Sequence, residues 1–175
     1  MKGEIWDYEV LPDGSRRLIG HGENLVVNTA YIAIAMAMKL DPANGGFMYW
    51  ALGDGDGSNT ADWDAGVVDG SKAPTLGDTV LANEIFRKAI VAGDIDFIDG
   101  AGNVSGTPTN RLEIRITFAN NEPSGVSDTD LREWGIFGGD ATGTADSGYM
   151  INRKVHKTFT KTTVASLERV LRFTF

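Results

Sequence analysis

Apolar and polar residues alternate most regularly in the second half of the chain. Over Arg111–Ala119, Leu112, Ile114, Ile116 and Phe118 fall on one face, and Arg111, Glu113, Arg115 and Thr117 on the other. A period of two is the signature of a strand with one buried side. The last segment, Ala165–Phe175, repeats the pattern, with Leu167, Arg169, Leu171, Phe173 and Phe175 opposite Ser166, Glu168, Val170, Arg172 and Thr174. Leu131–Phe137 and Tyr149–Lys157 read as further strands at hairpin-like spacing, separated by Gly-, Asp- and Thr-rich turns. Glu84–Ile98 reads as one long strand, with Gly93 as a bulge in it, and 99–103 (Asp-Gly-Ala-Gly-Asn) as the turn that follows.

The first half is patterned differently. Gly3–Val10 alternates, and Asp13-Gly14 separates it from a return strand at Arg16–Gly20, which together predict a hairpin. Asn28-Thr29 offers a helix cap before Ala30–Lys39, a segment apolar on every side. Its Ala and Met content predicts a buried helix, although Ala also alternates there with Ile and Met, which a strand would share. Phe47–Leu52 predicts a strand buried on both faces, and Gly53–Gly77 a long loop with Asp54, Asp56, Asp62, Asp64 and Asp69 against the single Lys72. A loop of about 25 residues is unusual and often functional.

These elements predict a mainly β domain, an antiparallel β-sandwich or open barrel with one buried helix in its N-terminal half. The expectation is a single domain over 1–175, with 1–22 as an N-terminal hairpin or arm and 23–175 as a helix-bearing β-domain containing the acidic loop at 53–77. The length of 175 residues suffices for a core without staples. A net charge of −8 argues against a nucleic acid partner, whose phosphates need clustered cations. The absence of Cys excludes disulfides, thiolate metal sites and a cysteine nucleophile. Met1–Asp7 has no basic start followed by an apolar run, and the longest apolar run, Ala30–Met38, falls short of the roughly 20 residues of a membrane span. The expectation is a protein made in the cytoplasm, with no membrane partner.

Motifs for chemistry are weak. Residues 54–62 (Asp-Gly-Asp-Gly-Ser-Asn-Thr-Ala-Asp) place oxygen ligands at alternate positions, but Asn59 and Ala65 stand where a calcium loop of the EF-hand type needs Gly and a bidentate acid. The reading is a solvated loop and no metal. Gly53, Gly55 and Gly57 do not match a dinucleotide fingerprint, and no phosphate loop is present, so no cofactor is expected. Asp94 and Asp96 would share a strand face about 7 Å apart, which suits a wet edge better than two carboxyls facing across a bond. His21 and His156 lack a nucleophile elbow to serve. No catalytic residue is assigned.

The order of segments carries more information than any one of them. Glu23-Asn24-Leu25-Val26-Val27-Asn28-Thr29 precedes the apolar helix, and the aromatic strand ends in Ala51-Leu52-Gly53-Asp54-Gly55. Leu81-Ala82-Asn83-Glu84-Ile85-Phe86-Arg87-Lys88, Ile116-Thr117-Phe118 and Asn121-Glu122 follow. Leu131-Arg132-Glu133-Trp134-Gly135-Ile136-Phe137 comes next, and Leu171-Arg172-Phe173-Thr174-Phe175 is last. This order resembles a group of tailed-bacteriophage virion proteins of the tail-fibre, tail-collar or baseplate type. The resemblance implies a non-enzymatic attachment or adaptor protein located in the virion. It also implies partners among other tail or baseplate proteins, and self-association as a homo-oligomer, with a trimer as the group's habit. A decoration (cement) protein bound to the major capsid protein is the alternative, and a receptor- or carbohydrate-binding module with an exposed aromatic platform at Trp50 or Trp63 a third reading. The candidate interface residues are Ile5, Trp6, Tyr8 and Leu18 in the N-terminal hairpin, together with Trp50, Trp63 and Trp134, because aromatic side chains dominate contact patches.

Overall fold

A computed structural model describes residues 3–10, 16–24, 34, 35, 37–39, 46–57, 63, 73–75, 77–124 and 127–175, with the side chains of 3–24 outside that set. Among the described residues the protein is mainly β. Strands β1 (Gly3–Val10) and β2 (Arg16–Asn24) form an antiparallel hairpin in which Val10 pairs with Arg16 and Gly3 with Asn24. The Asp13-Gly14 turn lies outside the described residues. Seven further strands are β3 (Phe47–Gly53), β4 (Glu84–Ala89), β5 (Ile95–Phe97), β6 (Arg111–Phe118), β7 (Thr129–Gly138), β8 (Tyr149–Lys161) and β9 (Leu167–Thr174).

They make two antiparallel sheets, β4-β3-β7-β8 and β5-β6-β9, in a sandwich-like arrangement without barrel closure. One apolar core joins the inner faces: Phe47, Trp50, Leu52, Leu131 and Ile136 from the first sheet meet Ile95, Phe97, Leu112, Ile114, Ile116 and Phe118 from the second. Phe47 stacks on Phe173 at 4.8 Å across the two sheets, and Phe86 meets Phe118 edge-on at 6.1 Å, geometries that aromatic quadrupoles favour. The inward alternation of β6 and β9 is the one the sequence pattern predicts.

The β3 strand is buried on both faces because its outer side is covered as well. Ala51 packs there with Leu81, Phe137 and Ala141. Residues 34, 35 and 37–39 are helical, within the predicted helix. Ala35 and Met38 join the core while Ala37 is exposed, so this part of the helix has a wet side. Lys39 donates its ammonium to the Ile95 carbonyl and lies 5.7 Å over the Phe97 ring. No helix among the described residues is long and apolar enough to cross a membrane.

Glu84–Ile98 is not one bulged strand. The chain leaves the first sheet after Ala89, turns through a 3-10 helix at Ala92–Asp94 and enters the second sheet at Ile95. Ile90 and Ile95 are both buried, so the passage between layers is anchored at each end. Asp94 accepts the Val91 amide at 2.9 Å, an arrangement that belongs to a turn and not to a ladder. Asp94 and Asp96 therefore do not share a strand face. Because β8 also extends to Lys161, four residues beyond the predicted end, the first sheet carries a 13-residue edge strand.

Candidate functional site

Side chains with chemical potential fall into five groups. The first lies under the outer face of the four-stranded sheet. Glu133 on β7 is fully buried. Its Oε1 accepts the Ala82 and Asn83 amides at 2.8 and 3.2 Å, and its Oε2 accepts Arg153 Nε at 2.9 Å. Arg153 on β8 also donates Nη1 to Asp78 at 2.8 Å. Gly53, paired with Glu133 in the β3–β7 register, leaves the space the carboxylate stem fills: a Cβ there would stand 2.7 Å from Glu133 Cγ and 2.8 Å from the Asn83 carbonyl. Burial opposes ionisation of Asp78, yet hydrogen bonds from Arg153 and Thr75 hold its carboxyl below the ordinary range. Arg153 is likewise pulled down by burial and then raised above its ordinary value by its two carboxylates. Shallow depressions flank Arg153 and Asp78, one lined by Met150 and Asn152 and another by Asp56 and Trp63. The Arg153 and Asp78 charges are already paired with each other, and the arrangement fastens the 78–83 segment to the sheet.

Arg87 makes the second group. It grips Glu84 through two nitrogens, donates to the Thr142 and Ser147 carbonyls at 2.8 and 3.2 Å, and lies 4.7 Å over the Phe137 ring. It pins the 142–147 turn. In the third, Lys88 donates to the Thr117 carbonyl and to Glu122, while buried Lys161 is held by the carbonyls of Asn120, Thr162 and Ala165. Burial works against the Glu122 carboxylate, but the Lys88 bond and the Ala119 amide leave its pKa below the ordinary value.

The fourth group is a charged ladder on the solvent face of the second sheet. Glu113 receives Arg172 at 2.8 Å and Arg115 at 2.7 Å, and Arg115 also reaches Glu168 at 2.7 Å. Cross-strand pairs of opposite charge of this kind are worth only a few tenths to about 1 kcal/mol each.

The fifth group differs from the others. Arg169 on β9 points inward between the sheets, toward Trp134 of β7 and His156 of β8. Its guanidinium lies 5.7 Å from the Trp134 ring, and Nη2 is 3.2 Å from His156 Nε2. Its buried Nε has no hydrogen-bond partner. Desolvation alone pushes its pKa down to about 10. His156 is held below its ordinary value, first by burial and then by the positive charges of Arg169 and Lys154. Its Nδ1 stands 2.7 Å from the Lys157 carbonyl. A neutral ring protonated at Nδ1 satisfies both contacts, leaving Nε2 to accept from Arg169.

The candidates drawn from the sequence distribute unevenly over these groups. Trp50 and Trp63 are buried, so neither ring presents an exposed platform. Trp50 packs 4.9 Å from Trp134 and its indole N–H is unpaired, while Trp63 donates to Asp56 at 2.9 Å. Trp134 is half-buried beside Arg169. The side chains of Ile5, Trp6, Tyr8 and Leu18 lie outside the described residues. In the Asp-rich loop, Asp54 accepts from Asn83 at 2.7 Å and Asp56 from Trp63, so both carboxylates serve internal bonds. No three metal-ligating side chains converge among the described residues.

Sequence reasoning missed Glu133, Arg153 and Arg169 as a set. One signal was available: Arg169 falls among the leucines and phenylalanines of the inward face of β9. The sequence matches no protein-family model and no curated protein sequence.

Proposed function

We propose that this chain is a non-enzymatic structural component of a tailed-phage virion, an oligomeric attachment or adaptor protein of the tail-fibre or baseplate type. The order of segments from Glu23 to Phe175 supplies the phage part of this reading. The observation that carries the attachment part is β8. Among the described residues it is the longest strand, it pairs with β7 alone, and it carries exposed Tyr149 and Phe159. Unpaired strand edges are natural templates for association between chains, and closed symmetry multiplies a weak patch through avidity.

Light scattering after size exclusion tests assembly, and an antibody raised against the chain tests location on purified phage particles. A stable oligomer, with a trimer expected, together with labelling of the tail supports the proposal. Labelling of the head selects the decoration-protein form. A chain missing from the particles overturns it.

A further inference from the structure

We infer that Arg169 of β9 and the exposed lysines of β8 form a carboxylate-binding surface that docks acidic side chains of a second copy of this chain. The inference rests on the assembly reading and names the surface and the chemistry of the contact.

Three other buried or half-buried cations are matched. Arg153 has two carboxylates, Arg87 has Glu84, and Lys161 has three carbonyls. Arg169 differs from these three: it meets an aromatic ring and a neutral imidazole, with its Nε unpartnered. A guanidinium whose side-chain neighbours are all neutral attracts a carboxylate, because charge-assisted hydrogen bonds are stronger than neutral ones.

Two exposed cations lie on β8, the edge strand beside Arg169. Lys154 pairs with Trp134 in the β7–β8 register, and Lys157 follows three residues on. That spacing sets the two charges about 10 Å apart along the strand, farther than one small carboxylate spans and suited to a polypeptide surface. Among the described residues neither lysine forms an ion pair, and the strand edge beside them is free.

The charge distribution points to the occupant. Residues 149–175 hold six of the 16 Lys and Arg and one of the 24 Asp and Glu, so the remaining 148 residues carry ten cations against 23 acids. Exposed Asp96, Asp128, Asp140 and Asp146 belong to that acidic part. A second copy therefore offers exposed carboxylates of the charge opposite to these β8 and β9 cations. A nucleic acid would be repelled by the net charge of −8.

Edge lysines also have a known opposite use, which is to block pairing of strands, and the two roles respond to charge removal in opposite directions. Light scattering over a range of protein concentrations at low and high salt is applied to the wild type, to Arg169→Gln and to the double variant Lys154→Gln/Lys157→Gln. The expected result is self-association that weakens with salt and is weakened about tenfold by either variant, with Arg169→Gln melting no lower than the wild type. Unchanged or stronger association in the variants overturns the inference and leaves the assembly reading standing. A wild type that stays monomeric at every concentration overturns both. Citrate raising the melting temperature while leaving association untouched marks a site for small carboxylates and also overturns the second-copy assignment.

Discussion

Two arginines on neighbouring edge strands mark opposite ways of burying a positive charge. Arg153 on β8 turns to the outer face of the four-stranded sheet, where Glu133 and Asp78 raise its pKa above the ordinary value. Arg169 on β9 turns inward to Trp134 and His156, where nothing opposes desolvation and the pKa falls to about 10. The first holds a loop in place: with Glu133 bonded to two amides of the 82–83 segment, the network is complete. The second holds nothing comparable. The complete network holds a structural part in place, and the incomplete one is what the proposed docking of a second copy rests on.

The comparison is broken most severely at Glu133. Glu133→Ala leaves Arg153 with Asp78 alone and strips the Ala82 and Asn83 amides of their acceptor. Breaking a buried pair costs about 3–5 kcal/mol, and urea unfolding should record a loss of that size. Failure to find it would mean that the 78–83 segment is not fastened through Glu133.

Gly53→Ala probes the same network from the facing strand. The new Cβ meets the Glu133 stem and the Asn83 carbonyl, and overpacking of this kind costs about 1–3 kcal/mol. Thermal denaturation should show a lower melting temperature with the fold retained by circular dichroism.

Arg169→Met should do the reverse. It removes a desolvated charge without orphaning a carboxylate and keeps most of the stem's volume, so stability is expected to hold or to rise by about 1 kcal/mol. A loss as large as that of Glu133→Ala would show that Arg169 is structurally compensated after all.

The smallest effect concerns pH. Because the His156 pKa is depressed in the folded protein, the unfolded chain takes up the proton first, and stability declines as pH drops through about 6.5. The decline should be shallower in His156→Gln and in Arg169→Met. A second decline sets in near pH 4, where Asp78, Glu113 and Glu122, all with lowered pKa values, lose the stability they hold at neutral pH.

The strands with one wet face were legible in the sequence because alternation reports burial directly. β6 and β9 show this, with their inward rows of Leu, Ile and Phe. β3 was legible for a different reason, since a short apolar run with aromatics has no dry place except between two covered faces. The passage from β4 to β5 was not, because Ile90 and Ile95 look alike to a pattern whether they line one sheet or two. The aromatic candidates divide on the same principle. Trp50, Trp63 and Trp134 are equally apolar in sequence, and only their surroundings make two of them core and leave the third beside a cation.

By itself the sequence determined where most of the strands lie and which of their faces are apolar, because these depend on the local period of side chains along the backbone, and Ala and Met content pointed to the helix between the hairpin and β3. It also determined that cations concentrate at the end of an acidic chain. Only the tertiary structure decided which strands share a sheet, that Glu133 meets Arg153 and two amides, and that Arg169 meets no carboxylate. Such pairings join residues far apart in the chain, and their energies depend on distance and desolvation, which come into being only when the two sheets close on each other.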